Sequence, residues 1–142
     1  MPNPSIVLKN TLEVNNLKST TIRNQLFDLL VNLSPISASN FMQEAKNRGY
    51  DGVTVYRTLD LFKRLNLYDE YGYGKQRMLH IHNDSSEHHH FIRCTKCEQA
   101  IEFESEAIED QLAKIAAQQG YSLITSHYLE LNGTCGKCAQ LD

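Results

Sequence analysis

The sequence has no long apolar run. No stretch approaches the ~20 apolar residues of a membrane-spanning helix, and residues 1–16 hold no apolar core of the kind that secretory signals carry. We therefore expect a soluble, cytoplasmic protein. Internal repeats and low-complexity tracts are absent as well, which excludes a repeat architecture. The 142 residues suit one ordinary domain or two small ones.

Cysteine is scarce, and its four copies form two Cys-x-x-Cys pairs, Cys94 with Cys97 and Cys135 with Cys138. Thiols stay reduced in the cytoplasm, so such pairs indicate metal binding before disulfides. Together they supply the four thiolates of a closed, structural, tetrahedral zinc site. A redox dithiol and free thiols are the alternatives. A thioredoxin-like motif needs a strand before the pair and a helix after it, whereas we predict turns around both pairs.

Acidic residues are few in the first part of the chain, and basic residues are few in the second. Residues 1–82 carry ten Lys/Arg and seven Asp/Glu, a net +3, and residues 83–142 carry four and ten, a net −6. The two values sum to the −3 of the whole chain. A mildly basic first half is typical of a nucleic-acid-binding module joined to something else.

The first half contains three predicted helices and a hairpin. Residues 1–18 are polar, and we interpret them as a flexible arm. Helices follow from Ser19 or Thr20, from Ser37 and from about Val53, and residues 67–82 form a hairpin around "GYG". Three helices and a hairpin indicate a winged helix-turn-helix over residues 19–82, whose third helix would enter a major groove. The alternative is a small helical bundle with a solvated basic face. The exposed polar residues of the third helix are Thr54, Arg57, Lys63 and Arg64.

The second half is predicted as strand, strand, helix and strand, over residues 83–142. The strands cover residues 88–93, 100–103 and 121–131, and Ser105 caps a helix that ends at Gly120. A three-stranded sheet with one helix leaves a face or an edge uncovered. A symmetric dimer would cover it. The fold class we expect is therefore α+β, with a winged-helix domain followed by an α/β dimerisation domain.

Three of the six histidines stand together in "EHHHFIRC". His88 and His90 point to one side of the predicted strand and His89 to the other. Nitrogen and oxygen donors of this kind suit zinc, iron(II) or manganese. A surface histidine run is the alternative. Further donors stand on the neighbouring strand, on the wing and at the joint between the halves, namely Glu102, His80, His82 and Asp69.

The segments "VTVYRTLDLF", "HHHFIRCTKC", "AIEF" and "CGKC", in this order, resemble the ferric uptake regulator family of bacterial metal-sensing repressors. The resemblance runs from about residue 20 to residue 138. It implies a winged-helix domain, a hinge near residues 67–74 and a dimerisation domain. It also implies that a homodimer binds a palindromic operator in double-stranded DNA when metal is bound.

Functional residues follow from the resemblance by position. Tyr56 and Arg57 would face the DNA groove, and the four cysteines match the structural zinc site. His88, His90 and Glu102 match members of a sensory site that bridges the two domains. Glu109 and His127 match part of a third site, for which His89 and Glu87 are possible partners.

Three departures bear on the metal that is sensed. Arg93 is an extra residue before Cys94, which can shift the strand register by one. The stretch "LSPISA" lacks the histidine of many iron-sensing members, and peroxide sensors use an aspartate where Glu102 stands. Zinc sensors take a hinge ligand, a role that Asp69 suits, with His80 or His82 replacing their missing cysteine.

We therefore expect a regulator of the zinc uptake branch, with structural zinc and a second divalent metal, zinc before iron(II). An iron(II) sensor of the same family is the nearest alternative. A zinc-knuckle interaction module would not need the basic helix. A hydrolytic zinc enzyme would need an open coordination position and a general base, and the sequence has no H-E-x-x-H motif.

Overall fold

The computed structural model describes residues 3–72, 74–81 and 90–140. The chain divides into two compact units, Met1–Ser85 and Ser86–Asp142. None of the helices within the described ranges is long and apolar enough to cross a membrane.

The first unit consists of four helices and a small sheet. The helices are α1 (Pro4–Val14), α2 (Thr21–Leu33), α3 (Ala38–Asn47) and α4 (Gly52–Arg64), and the strands are β1 (Ile36–Ser37), β2 (Tyr68–Tyr71) and β3 (Met78–Ile81). The sheet is antiparallel with the order β1-β3-β2, and residues 74–76 form a 3-10 turn inside the β2–β3 hairpin. The three predicted helices and the wing are therefore present, which confirms the winged-helix prediction.

Side-chain caps explain where these helices begin. Thr20, Ser37 and Asp51 stand at the N-caps of α2, α3 and α4, and each side-chain oxygen accepts a backbone N–H three residues on. Such caps satisfy amide groups that the helix itself leaves unpaired. The apolar faces of these helices converge on one core, in which Phe27 and Phe62 meet edge to face at 5.4 Å.

The N-terminal segment corrects one expectation. Residues 4–14 form helix α1 and not a flexible arm, because Leu8 and Leu12 lie one turn apart and are completely buried in the core. Pro4 at the first helical position and Asn3 at the cap favour a helix start here. The polar asparagines around these residues favour a loop in the sequence interpretation, so the helix was not predicted.

The expected hinge also differs from the structure. Residues 68–71 belong to strand β2, and Leu67 and Tyr68 are buried in the core of the first unit. A hydrogen-bonded strand with buried side chains is a poor pivot. The two units divide between Ser85 and Ser86, close to the boundary expected after residue 82, within a stretch (82–89) outside the described residues.

The second unit contains a three-stranded sheet, a long helix and a short one. Its elements are β4 (His90–Cys94), β5 (Ala100–Phe103), α5 (Glu106–Gln118), β6 (Glu130–Gly133) and α6 (Gly136–Ala139). The order is β5-β4-β6, with β5 antiparallel and β6 parallel to β4. Ser105 caps α5 as predicted, since its hydroxyl accepts the N–H of Ile108 at 3.3 Å.

The long strand predicted over residues 121–131 is wrong. Only Glu130–Gly133 forms a strand, and residues 121–129 run without regular structure. Strand β4 already pairs with β5 on one side and β6 on the other, so no described edge of β4 is left for residues 121–129. Most apolar residues of this segment, including Tyr121 and Leu123, are exposed.

Candidate metal centres and nucleic-acid interface

The four cysteines lie together. Cys94 ends β4, Cys97 lies in the turn that follows, Cys135 stands at the N-terminal boundary of α6 and Cys138 lies within α6. Their sulfur atoms are all within 4.8 Å of one another, and the Cys97 and Cys135 sulfurs are 3.9 Å apart. Strand pairing of β4 with β6 brings the two distant pairs to the same end of the sheet. The second pair sits on a short helix, where we had predicted a turn.

Backbone groups polarise this sulfur cluster. The N–H groups of Cys135 and Cys97 point at the Cys94 sulfur, at 3.3 and 3.5 Å, and they lower the pKa of that thiol to about 6. Hydrogen bonding with Cys135 and burial raise the pKa of Cys138 to about 12. The cluster thus favours negative charge at one sulfur and resists it at another. A divalent cation among the sulfurs removes that conflict, and four thiolates in tetrahedral reach fit zinc.

A second donor cluster has a different chemistry. His90 Nε2 lies 2.5 Å from Oε1 of Glu109, and His127 Nε2 lies 3.0 Å from Oε2 of the same carboxylate. His90 begins β4, Glu109 lies in the first turn of α5, and His127 belongs to the irregular segment before β6. Their ligand atoms lie within 4.8 Å of one another. Two imidazoles and a carboxylate suit zinc, iron(II) or manganese.

The electrostatics of this cluster favour a cation. Hydrogen bonding with His90, and then with His127, holds the pKa of the Glu109 carboxyl below its usual range. The ring of His90 is 2% exposed, and its Nδ1 atom is buried with no hydrogen-bond partner among the described residues. Two ring nitrogens that face one carboxylate offer lone pairs to a metal once their protons leave.

The grouping of His90 differs from the expectation. The resemblance places His90 with the bridging sensory residues and gives His89 and Glu87 as possible partners of Glu109 and His127. The structure places His90 itself against Glu109 and His127. This grouping agrees with the one-residue register shift that the extra Arg93 would allow. Arg93 occupies a buried position in β4, where its Nε lies 3.1 Å from Oε1 of Glu130 on β6.

The other sensory candidates are distributed over both units. Asp69 and His80 face each other across β2 and β3 in the first unit, where His80 is buried with its ring 6.2 Å from that of Tyr71. Glu102 lies on β5 of the second unit, opposite Phe91. Four further candidates fall on residues that the structure does not describe, namely His82, Glu87, His88 and His89.

Helix α4 presents a polar and basic face. Tyr56 is 63% exposed and Arg57 is exposed beside it, while Val55, Leu59 and Phe62 anchor the opposite face in the core. The Thr54 hydroxyl lies 3.3 Å from the capping carboxylate of Asp51, so it supports the helix start.

The last turn of α4 carries two ion pairs. Arg64 Nε lies 3.3 Å from Asp60, with both side chains exposed. Lys63 reaches out of the helix to Glu70 of β2 at 3.0 Å, and Arg77 Nε, just before β3, lies 3.2 Å from the same oxygen. The sequence interpretation missed Glu70 and Arg77. Charged residues are common on any solvated hairpin, so the sequence does not show that these two side chains meet.

A winged-helix unit followed by an α/β unit with two donor clusters defines the architecture. The ferric uptake regulator family matches residues 14–132, and the chain belongs to this family. Proteins of this family are transcription regulators and not enzymes. This assignment rules out the alternative of a hydrolytic zinc enzyme.

Relatives and solved structures agree with this assignment. The chain is 38% identical over 85 residues to the ferric uptake regulation protein of Campylobacter jejuni, covering 60% of this chain and 53% of that one. The match therefore spans about half the length of that relative. The chain is also 29% identical over 131 residues to the ferric uptake regulation protein of Neisseria meningitidis, covering 89% of this chain and 90% of that one. The crystal structure of the Vibrio cholerae ferric uptake regulator superimposes with a TM-score of 0.69 at 27% identity, covering 89% and 98%.

Proposed function

We propose that this protein is a cytoplasmic, metal-dependent transcriptional repressor that binds palindromic operator DNA as a homodimer. The observation that carries the proposal is the presence of two donor clusters of different chemistry in one small unit. A single structural metal would not need the second cluster.

The two clusters suit two tasks. Four sulfurs fill a tetrahedral zinc shell, so the Cys94–Cys138 cluster is closed and holds β4, the turn after it and α6 together. The His90–Glu109–His127 cluster offers three protein ligands, which leaves coordination positions open. An open nitrogen and oxygen site exchanges its ion more readily than a closed thiolate site, which is what a sensor needs.

The regulatory metal we propose is zinc, with iron(II) as the second candidate. Zinc is favoured because residues 33–38 lack a histidine and because a His2Glu set is a well-known zinc-binding combination. Iron(II) is favoured by the names of the relatives, which are ferric uptake regulation proteins. The sensory set expected from the sequence, namely Asp69, His80 or His82, His88, His90 and Glu102, stays a prediction.

The second unit supports the homodimer. Its buried apolar residues among positions 90–140 are Phe91, Cys94 and Cys138, and helix α5 has no buried residue in that range. Its exposed large apolar residues are far more numerous: Ile92, Ile101, Ile115, Tyr121, Leu123, Ile124, Tyr128 and Leu131. Apolar surface on this scale marks an interface, and a second copy of the same unit would bury it symmetrically.

Metal dependence requires that the ion favour the DNA-binding arrangement of the two units over other arrangements. An effector shifts such an equilibrium only by its differential affinity. A roughly 100-fold gain in DNA affinity corresponds to ~2.7 kcal/mol of coupling. One or two metal–ligand bonds that form in a single arrangement are sufficient for that.

The test is selection of binding sites from a random duplex DNA pool, followed by affinity measurements with zinc, iron(II) and manganese added to protein that retains its structural zinc. We expect a palindromic consensus and an affinity that rises with one metal, zinc first. An enriched sequence that binds equally well in a chelator and in all three metals would contradict the proposal. A response to iron(II) alone would keep the repressor and replace the metal.

A further inference from the structure

Glu70 joins the recognition helix to the wing. Its Oε2 atom lies 3.0 Å from Lys63 Nζ of α4 and 3.2 Å from Arg77 Nε. Its Oε1 atom accepts the hydroxyl of buried Tyr68 at 2.9 Å. Burial alone would raise the pKa of the Glu70 carboxyl, but these hydrogen bonds and charges hold it below the usual range, so the group is ionised near neutrality.

The three charges are not equally exposed. The Glu70 side chain is 14% exposed, that of Arg77 30% and that of Lys63 57%. The acid therefore lies inside, and the two cations extend past it toward solvent. Arg77 is fixed further by its Nη1, which donates to the carbonyl of Gly74 at 2.9 Å.

Both cationic side chains line one groove between α3, α4 and the wing. Four basic residues line it, namely Lys46, Lys63, Lys75 and Arg77, against two acidic ones, Asp60 and Glu70. The difference is two positive charges. Tyr56, on the exposed face of α4, lines the same groove. The groove is therefore a basic surface that continues the recognition helix.

We propose that Glu70 is a positioning residue, and that it holds Lys63 and Arg77 as a clamp for one backbone phosphate of duplex DNA. This rests on the proposed function in that it takes α4 as the DNA-facing helix. Holding two long cationic side chains in place before DNA arrives reduces the ordering cost of binding. The partly covered carboxylate also offsets the repulsion between the two cations.

A different role for Glu70 predicts the opposite effect. If Glu70 only neutralises basic charge, its removal raises the positive charge of the groove and strengthens DNA binding. If it positions the clamp, its removal weakens binding although the protein becomes more positive. The sign of the change therefore separates the two roles.

The experiment measures the affinity of Glu70→Gln for duplex DNA over a range of salt concentrations. Glutamine keeps the size and the acceptor for Tyr68, so the protein should stay folded, with a melting temperature lowered by only a few degrees. We expect binding weakened by about threefold or more at fixed salt, and a log–log salt slope smaller by about one phosphate contact. Asp60→Asn is the matched control, because it removes the same charge from the same groove, while its ion pair is the exposed one with Arg64 and involves neither Lys63 nor Arg77. It should bind as tightly as the wild type or more tightly.

In a protein in which Lys63 and Arg77 are both changed to Gln, the clamp is already lost. Adding Glu70→Gln to that protein should therefore leave its salt slope unchanged. Tighter binding by Glu70→Gln, or a slope equal to that of the wild type, would overturn the clamp. The measurement can be made on any duplex and without added metal. If the wild type binds DNA without responding to metal, and Glu70→Gln binds more weakly than the wild type, the proposed function alone is contradicted. A wild type that binds no duplex at all, with or without added metal, would overturn both.

Discussion

His90 and Glu109 lie 19 positions apart in sequence, yet the His90 Nε2 atom is 2.5 Å from Glu109 Oε1. The contact joins the start of β4 to the first turn of α5. His127 reaches the same carboxylate from the segment before β6. One carboxylate therefore links three parts of the second unit, so a cation bound there would hold all three together.

We expect His90→Ala, Glu109→Gln and His127→Ala to behave alike. Each removes one donor of the second cluster and leaves all four cysteines in place, so each should retain about one zinc per chain and lose the metal-induced gain in DNA affinity. Metal content by elemental analysis and DNA affinity with and without added metal check this.

Asp110→Asn is the control for these variants, since Asp110 is exposed and follows Glu109 on α5. It should respond to metal as the wild type does. Asp69→Ala tests the predicted bridging set separately, and a loss of response there would add Asp69 to the sensor. A full metal response in all three cluster variants would show that these residues do not sense metal.

Local signals predicted most of the fold. The capping residues Thr20, Ser37 and Ser105 and the helical apolar spacing gave the helix starts, because both act within a single turn. The four-cysteine cluster was also predictable, since each Cys-x-x-Cys pair is a local unit. The grouping of His90 was not, because a strand register that changes by one residue turns each side chain to the other face.

The long strand over residues 121–131 fails for a related reason. Alternating apolar residues such as Tyr121 and Leu123 indicate a surface that can be covered on one side, but a strand also needs a neighbour that offers hydrogen bonds. That neighbour is not specified by the segment itself. Helix α1 was missed because Leu8 and Leu12 form a short apolar pair among polar residues, and only the core shows what they contact.

The sulfur cluster predicts a second set of variants. Cys94→Ser or Cys138→Ser should release tightly bound zinc and lower the melting temperature, because a structural zinc contributes its binding free energy to folding. Zinc content after chelator treatment and thermal melting measure the effect. His127→Ala is the control, because it should keep this zinc. A Cys94→Ser protein with full zinc content and an unchanged melting temperature would rule out the four-cysteine site.

Arg57 should contribute directly to DNA recognition. It is exposed on α4 beside Tyr56, and Arg57→Ala should weaken operator binding by ~1–3 kcal/mol if the guanidinium contacts a base edge. Arg64→Ala should instead reduce the salt dependence, as expected for a phosphate contact. Affinities for the selected operator and for an unrelated duplex distinguish the two. Equal losses on both duplexes for Arg57→Ala would assign it to the phosphates.

Leu123 should contribute to the dimer. Its side chain is 75% exposed in the single chain, and Leu123→Ser removes apolar area from both copies at a symmetric interface. We expect the dimer dissociation constant to rise by about tenfold or more, measured by sedimentation velocity over a dilution series. Val14→Ser is the control, because Val14 is 82% exposed on α1 in the other unit. A dimer as stable as the wild type in Leu123→Ser would move the interface elsewhere.

Glu70 predicts a pH dependence of stability with a definite sign. Its pKa is depressed in the folded protein, where hydrogen bonds from Lys63 and Tyr68 outweigh the burial that would raise it. The unfolded chain has the ordinary value of about 4.3. The stabilisation is therefore fully present above the unfolded pKa and is lost as the pH falls through the folded one.

The wild type should exceed Glu70→Gln in free energy of unfolding by up to about 1 kcal/mol near pH 7. The value is small because the pair with Lys63 is partly exposed. The difference should shrink as the pH falls below about 5. Urea unfolding of both proteins across this range measures it, and loss of zinc at low pH affects both alike and cancels in the difference. A gap between the two proteins that grows as the pH falls would contradict the ionised, hydrogen-bonded state assigned to Glu70.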